Sequence, residues 1–364
     1  MTDYKMAESD IKDLLDKLTL TEKTALSLET YSEDYILEIS VQESSNSLAA
    51  TSSNKFIRIF SYSNLTTKGC IEGHKDVITG VKFANTERDI LYSSSEDKTI
   101  KCWDVRTDNK KPVAVLEGYD ECSNIFTSFD ISCNDRVICA GCAKSKQSED
   151  VHLLFWDRRS NALLGCYSDS HQDDVTQVCF HPTEPDSLST GSTDGLVCVF
   201  DINQPTEDDA ILLTLNSESS VNKIGWHGNN VYCVTHIDTF HVWDTKMEED
   251  IINLKDVKNK VQDEIDYLVD GLVVNDELYL LAGTHSGSLR VLDVMGGKTS
   301  VVQTLSEGHM ATVRCSQWSN NMLVTGGEDS MLCLWSDRKQ TQKIQSKQSK
   351  LKMKKSVSKK SQPY

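Results

Sequence analysis

The sequence predicts an all-β fold built from seven repeats, and two observations support this prediction. Seven short apolar runs each end in an aromatic or large aliphatic residue followed by a polar residue, at positions 60, 103, 156, 200, 243, 292 and 335. Their separations of 43, 53, 44, 43, 49 and 43 residues indicate a repeating unit of nearly constant length. Within the units, β-branched and aromatic runs such as VITGVKF (77–83) and TIKCWDV (99–105) alternate with turn residues, which is typical of strands.

Three of the repeats share a second pattern, which consists of polar residues. A His opens each of these repeats, and an aromatic residue follows it nine positions later. Further on, a hydroxyl residue precedes an Asp by four positions, and an aromatic residue follows that Asp by six. The sets are His74, Ser93, Asp97 and Trp103; His171, Thr190, Asp194 and Phe200; and His309, Thr325, Asp329 and Trp335. Because three spacings agree in three places, these residues belong to the repeat.

The repeats resemble the WD40 family, because their period lies in the low forties, most end in WD or a related pair, and several open with GH. This resemblance implies a single seven-bladed β-propeller in which each repeat forms one four-stranded blade. It also implies that the His, the hydroxyl, the Asp and the Trp form a buried hydrogen-bonded relay within a blade. We therefore interpret the three sets as structural, because a hydrolase needs its Ser, His and Asp only once.

Three repeats depart from this pattern. The third has Gly118–Tyr119 in place of GH and Cys139 in the hydroxyl position. The fifth has Asp238 one residue too close to its Trp, and the sixth has Ser286 in the Asp position. We expect these blades to be less rigid or to differ in function.

Four segments resemble one particular member of the WD40 family, for which no catalytic residues are assigned. These segments are residues 123–141, 173–182, 194–203 and 311–329.

The two ends of the chain lie outside the repeat pattern. SDIKDLLDKL (9–18) has Ile and Leu on one helical face and predicts a short N-terminal helix. The last repeat ends at Trp335 without a fourth strand, so we expect KTALSLE (23–29) to supply that strand and close the ring. The predicted organisation is an N-terminal extension at 1–22, a propeller at 23–337 and a tail at 338–364.

Charge is distributed unevenly along the chain. The net charge is −17, yet the tail contains ten Lys or Arg and no acid, which leaves 28 basic against 55 acidic residues elsewhere. The low apolar content of the tail predicts disorder. Its run KLKMKKSVSKK (350–360) favours a nuclear import signal, with a weak, non-specific nucleic-acid contact or a merely solvated tail as alternatives. We therefore expect the protein in the nucleus, with the cytoplasm as the alternative.

Several function classes are disfavoured by the sequence. The polar N-terminus and the lack of a long apolar run argue against a signal peptide and a membrane span, so we expect an intracellular monomer with reduced cysteines. CAGC (139–142) has no second CxxC, which argues against a metal site. No glycine-rich phosphate loop or dinucleotide fingerprint is present. The sequence thus predicts a protein without enzymatic activity or a cofactor.

The expected partners are other proteins. An acidic ring favours partners with basic segments, and we expect contacts through carboxylates on the narrow face of the propeller. These candidates are Asp76, Glu96, Asp173, Asp174 and Glu328, although a solvated surface that binds nothing would give the same pattern.

A different partner is suggested by two copies of WDxR, which end at Arg106 and Arg159 in neighbouring repeats. Among WD40 proteins, WDxR resembles the signature of substrate receptors that dock onto the adaptor of cullin-4 ubiquitin ligases. The resemblance implies charge-assisted bonds from both Arg side chains to that adaptor. The alternative is that these residues are solvated charges without a partner.

Overall fold

Seven four-stranded antiparallel sheets account for most of the chain in a computed structural model, which describes residues 8–26, 34–107, 111–118, 125–145, 150–261, 263–295 and 299–337. The sheets follow one another as the blades of a closed ring, which confirms the predicted seven-bladed propeller. The basic tail at 338–364 lies outside the described residues, and so does Tyr119 in the third blade.

The N-terminal elements are helix α1 (Glu8–Asp16) and strand β1 (Thr19–Ala25), and the following elements form the blades in chain order. Blade 1 contains β2 (Ile36–Gln42), β3 (Ser47–Ser52), β4 (Phe56–Ser61) and β5 (Thr67–Glu72), with a 3-10 turn at Glu43–Ser45. Blade 2 contains β6 (Ile78–Phe83), β7 (Ile90–Ser95), β8 (Thr99–Asp104) and β9 (Ala114–Glu117). Blade 3 contains β10 (Phe126–Ile131), β11 (Val137–Cys142), β12 (Leu153–Asp157) and β13 (Ala162–Tyr167).

The remaining blades have the same arrangement. Blade 4 contains β14 (Val175–Phe180), β15 (Ser187–Ser192), β16 (Leu196–Asp201), helix α2 (Glu207–Ala210) and β17 (Ile211–Asn216). Blade 5 contains β18 (Val221–His227), β19 (Asn230–Thr235), β20 (Phe240–Asp244) and β21 (Glu249–Leu254). Helix α3 (Val257–Lys260) precedes blade 6, which contains β22 (Tyr267–Val274), β23 (Glu277–Gly283), β24 (Leu289–Asp293) and β25 (Ser300–Leu305). Blade 7 contains β26 (Val313–Ser319), β27 (Met322–Gly327) and β28 (Met331–Ser336).

The alternating strand directions give the ring two faces. The loops that lead into the first strands and the turns between second and third strands lie on one face, called here the narrow face. The turns between first and second strands and between third and fourth strands lie on the opposite, wide face. The first strands surround the central channel, and the fourth strands form the outer rim.

Blade 7 is completed by the N-terminal strand. β1 pairs antiparallel with β28, from Thr19 opposite Ser336 to Ala25 opposite Met331. The Thr21 hydroxyl adds a hydrogen bond of 3.0 Å to the Leu334 carbonyl. The strand begins four residues earlier than the predicted segment at 23–29, whose last three residues lie outside the described residues. The prediction relied on apolar alternation, whereas this outermost strand is held through its backbone and buries little of either face.

Helix α1 covers the outer end of the junction between blades 6 and 7. Its buried side chains Ile11, Leu14 and Leu15, with Leu18 beyond its end, pack into the apolar core between these blades. This is the face that the sequence periodicity predicts. The carboxamide nitrogen of Gln303 donates to three carbonyl groups at the end of the helix, at 2.9–3.2 Å.

The blades pack closely because a glycine in one blade makes room for an aliphatic side chain of the next. A Cβ atom added at Gly141 would lie 2.4 Å from Val175, and one at Gly191 would lie 2.5 Å from Val221. Both glycines occupy the same place on the second strand of their blades. Gly326 and Ile36 repeat this contact between blades 7 and 1, so it sets the spacing at three junctions of the ring.

We predict that deleting residues 1–25 lowers the melting temperature of the whole propeller and promotes self-association, because β28 would become an unpaired edge. Deleting only residues 1–17 is the matched control: it removes α1 but keeps β1. The control should lose at most about 1.5–3 kcal/mol for each of the three buried aliphatic side chains of α1. Thermal melting and size-exclusion chromatography provide the measurements, and identical behaviour of the two deletions would contradict the role assigned to β1.

Candidate functional site

The polar set of blade 2 forms a continuous hydrogen-bonded relay. Nδ1 of His74 lies 2.9 Å from Asp97 Oδ2, and Nε2 lies 2.7 Å from Ser93 Oγ. The indole nitrogen of Trp103 donates to the same Ser93 hydroxyl at 2.8 Å. Asp97 also accepts the backbone amide of Lys75, which joins the turn between second and third strands to the incoming loop.

Blades 4 and 7 repeat this geometry. Their histidines, His171 and His309, contact the hydroxyl oxygens of Thr190 and Thr325 at 2.7 and 2.8 Å. The other ring nitrogen of each His lies 3.1 Å from the carboxylate of Asp194 or Asp329. Trp335 donates to Thr325 at 2.9 Å in blade 7. Blade 4 has Phe200 in the Trp position, so its relay ends at the Thr hydroxyl.

Burial determines what this arrangement can do chemically. In blade 2 the side chains of His74 and Asp97 are 1% and 4% exposed, and Ser93 is completely buried. Burial opposes ionisation of Asp97, but hydrogen bonds from His74, Thr99 and the Lys75 amide hold the pKa of its carboxyl below its usual range. Because both ring nitrogens of His74 are engaged and Ser93 has no solvent access, a substrate could reach the hydroxyl only if the blade opened.

The departing blades satisfy their buried polar groups differently. In blade 3 the predicted Cys139 does not take the hydroxyl position. Trp156 pairs with Ile138, which places Ala140 there and turns Cys139 to the opposite face, and Trp156 donates to the Glu117 carbonyl at 3.2 Å. Blade 5 contains a separate hydroxyl pair, in which Thr235 and Thr239 lie 2.6 Å apart. In blade 6 the Ser286 hydroxyl lies 2.8 Å from that of Thr284.

Asp238 of blade 5 turns away from its own blade. Its carboxylate accepts the backbone amide of Leu268 in blade 6 at 2.8 Å and pairs with Lys258 at 2.8 Å. Asp238 lies five residues before Trp243, one fewer than in the other blades, and its carboxylate links blade 5 to blade 6 instead of joining a relay.

The five carboxylates predicted to bind partners all lie on the narrow face, but several are already engaged. Asp76 pairs with Lys55 at 3.2 Å, and Glu328 pairs with Arg314. The carboxylate of Asp174 accepts the backbone amide of Lys144 at 2.7 Å, and that of Asp173 accepts the backbone amide of Asp174 at 2.9 Å. Glu96 is held through its backbone, since its amide donates to the Val77 carbonyl at 2.9 Å.

The two WDxR arginines lie on the wide face of neighbouring blades, because each follows the third strand of blade 2 or blade 3. The Arg106 side chain is 63% exposed and forms two hydrogen bonds with Asp104, at 2.7 and 2.8 Å. Arg159 is exposed, and its backbone amide donates to Asp157. The intervening Arg158 instead ties blade 3 to blade 2 through Glu87 and the Tyr92 hydroxyl.

Charged residues that the sequence did not single out meet in the central channel. Lys223 of blade 5 reaches across to Glu38 of blade 1 at 3.4 Å, and Lys82 pairs with Asp130 between blades 2 and 3. Burial raises the pKa of Asp270 to about 7, although Lys223 counteracts part of this effect. Glu38, Lys82, Asp130 and Asp270 line a cavity of 340 Å³ along the first strands. Each was a single charge within an apolar strand, and only ring closure brings them together.

The described residues provide no evident place for a metal ion. No group of three or more His, Cys, Asp or Glu side chains is close enough to hold one among them. Cys139 and Cys142 of the CAGC segment are both buried, but they belong to the apolar cores on opposite faces of blade 3. In the same part of the chain, no helix has the length and apolar character needed to cross a membrane.

Comparison with known proteins agrees with the repeat pattern. Residues 65–104, 163–201 and 299–336 match the family described as WD domain, G-beta repeat. The chain is 29% identical over 347 residues to WD repeat-containing protein 89 homolog of Dictyostelium discoideum, covering 91% of this chain and 92% of that protein. This is a homologue of the family member that the four sequence segments resemble, namely WD repeat-containing protein 89. The predicted WD40 resemblance is therefore confirmed.

Two further relatives are more distant. The WD repeat-containing protein GTS1 of Arabidopsis thaliana is 28% identical over 333 residues, covering 84% of this chain and 82% of that protein. DDB1- and CUL4-associated factor 13 of Xenopus tropicalis is 22% identical over 286 residues, covering 75% of this chain and 58% of that protein.

We predict that His74→Ala lowers the free energy of unfolding by about 1–3 kcal/mol, because it removes two buried hydrogen bonds worth about 0.5–1.5 kcal/mol each. The exposed His236 on the same face provides the control, and His236→Ala should change stability by less than about 0.5 kcal/mol. Thermal and urea denaturation measure both variants. A hydrolase activity that disappears in His74→Ala while the fold persists would refute the structural role.

Proposed function

Because the chain is a seven-bladed WD40-repeat propeller, we propose that it is a non-enzymatic platform that binds basic segments of other proteins. The observation that carries this proposal is the charge of the chain outside the tail, which contains 28 basic and 55 acidic residues. Such an excess attracts cationic partners over roughly the Debye length, about 8 Å at physiological ionic strength. The fold is consistent with a platform, since it presents many loops on a rigid ring.

The absence of catalysis is part of this proposal. The Ser, His and Asp residues that could form a hydrolase site recur in three blades, and their polar atoms are used within the blade. Reactive groups that lie buried within the framework support a binding function rather than a chemical one.

The carboxylates of the narrow face differ in how well they could serve a partner. A basic segment would have to compete with Lys55 for Asp76 and with Arg314 for Glu328. Glu96 and Asp173 face no such competition among the ion pairs of the described residues, so we assign them the larger contribution on this face.

We predict that residues 1–337, expressed as an affinity bait, retain proteins with Lys- or Arg-rich segments. Direct binding of the recovered segments should weaken steeply as salt rises from 0.1 to 1 M, because the Debye length falls from about 10 to about 3 Å. The full chain serves as the matched comparison and shows which partners depend on the basic tail. Retention of only neutral or acidic partners, or binding that salt leaves unchanged, would contradict the proposal.

A second candidate function is that of a substrate receptor of a cullin-4 RING ubiquitin ligase. It is favoured by the placement of Arg106 and Arg159 on one face of adjacent blades, and by the similarity to a protein named DDB1- and CUL4-associated factor 13. In this function the guanidinium of Arg106 would exchange the carboxylate of Asp104 for an acceptor on the ligase adaptor.

For this second function we predict that the cullin-4 adaptor co-purifies with the chain and that Arg106→Ala combined with Arg159→Ala abolishes its recovery. Lys246→Ala is the matched control, because Lys246 follows Trp243 and Asp244 of blade 5 in the equivalent turn and is exposed. Recovery of the adaptor that survives the double substitution, or no recovery from the unaltered chain, would eliminate this function.

A further inference from the structure

A groove lies on the outer rim of the propeller between blades 3 and 4. It has a volume of 630 Å³ and an apolar floor that includes Phe155, Tyr167 and Ile202. One wall is the outer strand β13, which contributes Leu164, a side chain that is 60% exposed. The other wall is the loop that leads into helix α2. This groove, called here the 3–4 groove, has no occupant among the described residues.

The corresponding junction between blades 6 and 7 shows how such a groove is filled. Blades 3 and 6 pair their third and fourth strands in the same way. In each, the fourth strand contains one extra residue that has no partner on the third strand, namely Leu164 in blade 3 and Val302 in blade 6. In this register the positions of Val137, Phe155, Leu164, Gly165 and Tyr167 in blade 3 correspond to Tyr279, Val291, Val302, Gln303 and Leu305 in blade 6. The residues of blade 6 form the surface on which α1 lies.

Two of the three contacts that hold α1 have a counterpart in blade 3, and the third is missing. Leu164 occupies the position of Val302, which packs against the core that α1 covers. Asp157 occupies the position of Asp293, which pairs with Lys12 of α1 at 3.1 Å. At the third position, Gly165 replaces the Gln303 that caps α1, and a Cβ atom added there would meet nothing within 4 Å.

Exposure alone would not single out this groove, because blades 4 and 5 carry Leu212 and Ile251 at the same extra position, 57% and 42% exposed. The cavity beside Leu164 makes the difference. The equivalent surface of blade 6 already holds a helix, α1.

Charge identifies the chemistry of the occupant. Among the described residues, no ion pair engages Asp186, which lines the groove, or Asp157 and Asp208, which adjoin its lining residues Val137 and Glu207. Arg136 is the one basic residue in the lining. A second copy of α1 is a poor occupant because its four acids, Glu8, Asp10, Asp13 and Asp16, outnumber its single Lys12. The rim thus complements a basic helix.

We propose that the 3–4 groove binds a basic amphipathic helix of a partner protein, with aliphatic side chains at i, i+3, i+4 and i+7 facing Leu164 and the groove floor. The inference rests on the proposed function, because it assigns that function a place and a partner conformation. The partner's lysines or arginines would contact Asp157 and the other rim carboxylates.

The probe for the test is a labelled copy of residues 8–20 in which Glu8, Asp10, Asp13 and Asp16 are replaced by Lys. It retains the apolar stripe that fills the equivalent groove, and the unaltered acidic copy is its matched control. Fluorescence anisotropy with the full chain should detect saturable binding of the basic probe and at least about tenfold weaker binding of the acidic copy. Equal affinity of the two peptides would overturn the charge argument.

Two pairs of variants locate the binding. Leu164→Glu should weaken binding of the basic probe about tenfold or more, whereas Leu212→Glu, at the same position of blade 4, should leave it unchanged. Gly165→Gln should strengthen binding by supplying the helix cap that Gln303 provides in blade 6. Thermal melting checks that all three variants remain folded, and equal effects of the two Leu substitutions would refute the assignment.

Two other outcomes are informative. An affinity for the basic probe that rises when residues 338–364 are deleted would make the chain's own tail the occupant and would overturn the assignment to a partner. Absence of probe binding, while residues 1–337 still retain basic partners in a salt-sensitive manner, would reject the 3–4 groove and leave the proposed function intact. Loss of both kinds of binding would reject the two proposals together.

Discussion

Closure of the ring is the constraint on which the rest of the structure depends. Six blades are formed from consecutive strands, but blade 7 takes its outer strand from the other end of the chain, through the pairing of β1 with β28. The clasp brings together residues more than 300 positions apart, so its formation orders a very long loop. Ordering that loop has an entropic cost that grows only slowly with its length, which explains why a clasp of six paired positions is compatible with a stable ring.

Within the closed ring, the requirement that buried polar groups find partners explains both the repeat and its exceptions. The hydroxyl groups of Ser93 and Thr325 each form a hydrogen bond with a His ring nitrogen and accept one from an indole N–H. A complete relay therefore leaves none of these polar groups without a partner. Where a member is replaced, its neighbours change as well: Ala140 in the hydroxyl position of blade 3 needs no partner, and Asp238 bonds to the next blade. Losing one relay member is therefore compatible with the fold when local packing or a neighbouring blade takes over the polar group.

The sequence predicted features that depend on local spacing and missed those that depend on the ring. The number of blades and the relay members follow from positions within one repeat, and the helix follows from its own periodicity. β1 was placed four residues too late because an outermost strand needs no apolar alternation. The ion pair between Lys223 and Glu38 joins residues 185 positions apart in sequence, and the sequence around neither residue indicates its partner. The groove was missed because Leu164 looks like any strand residue until the extra position in β13 is known.

Differences among nearly equivalent blades are where function can be located. Features that several blades share, such as the glycine contacts between neighbours, are explained by packing alone. α1 shows that a rim groove is completed by four aliphatic side chains, an ion pair with Asp293 and a cap from Gln303. In blade 3 the apolar floor and the Asp remain, while the cap is reduced to Gly165, so the energy that holds α1 in place is only partly reproduced there. A helix supplied by a partner would therefore bind more weakly and reversibly than α1, and the acidic rim would select it by charge.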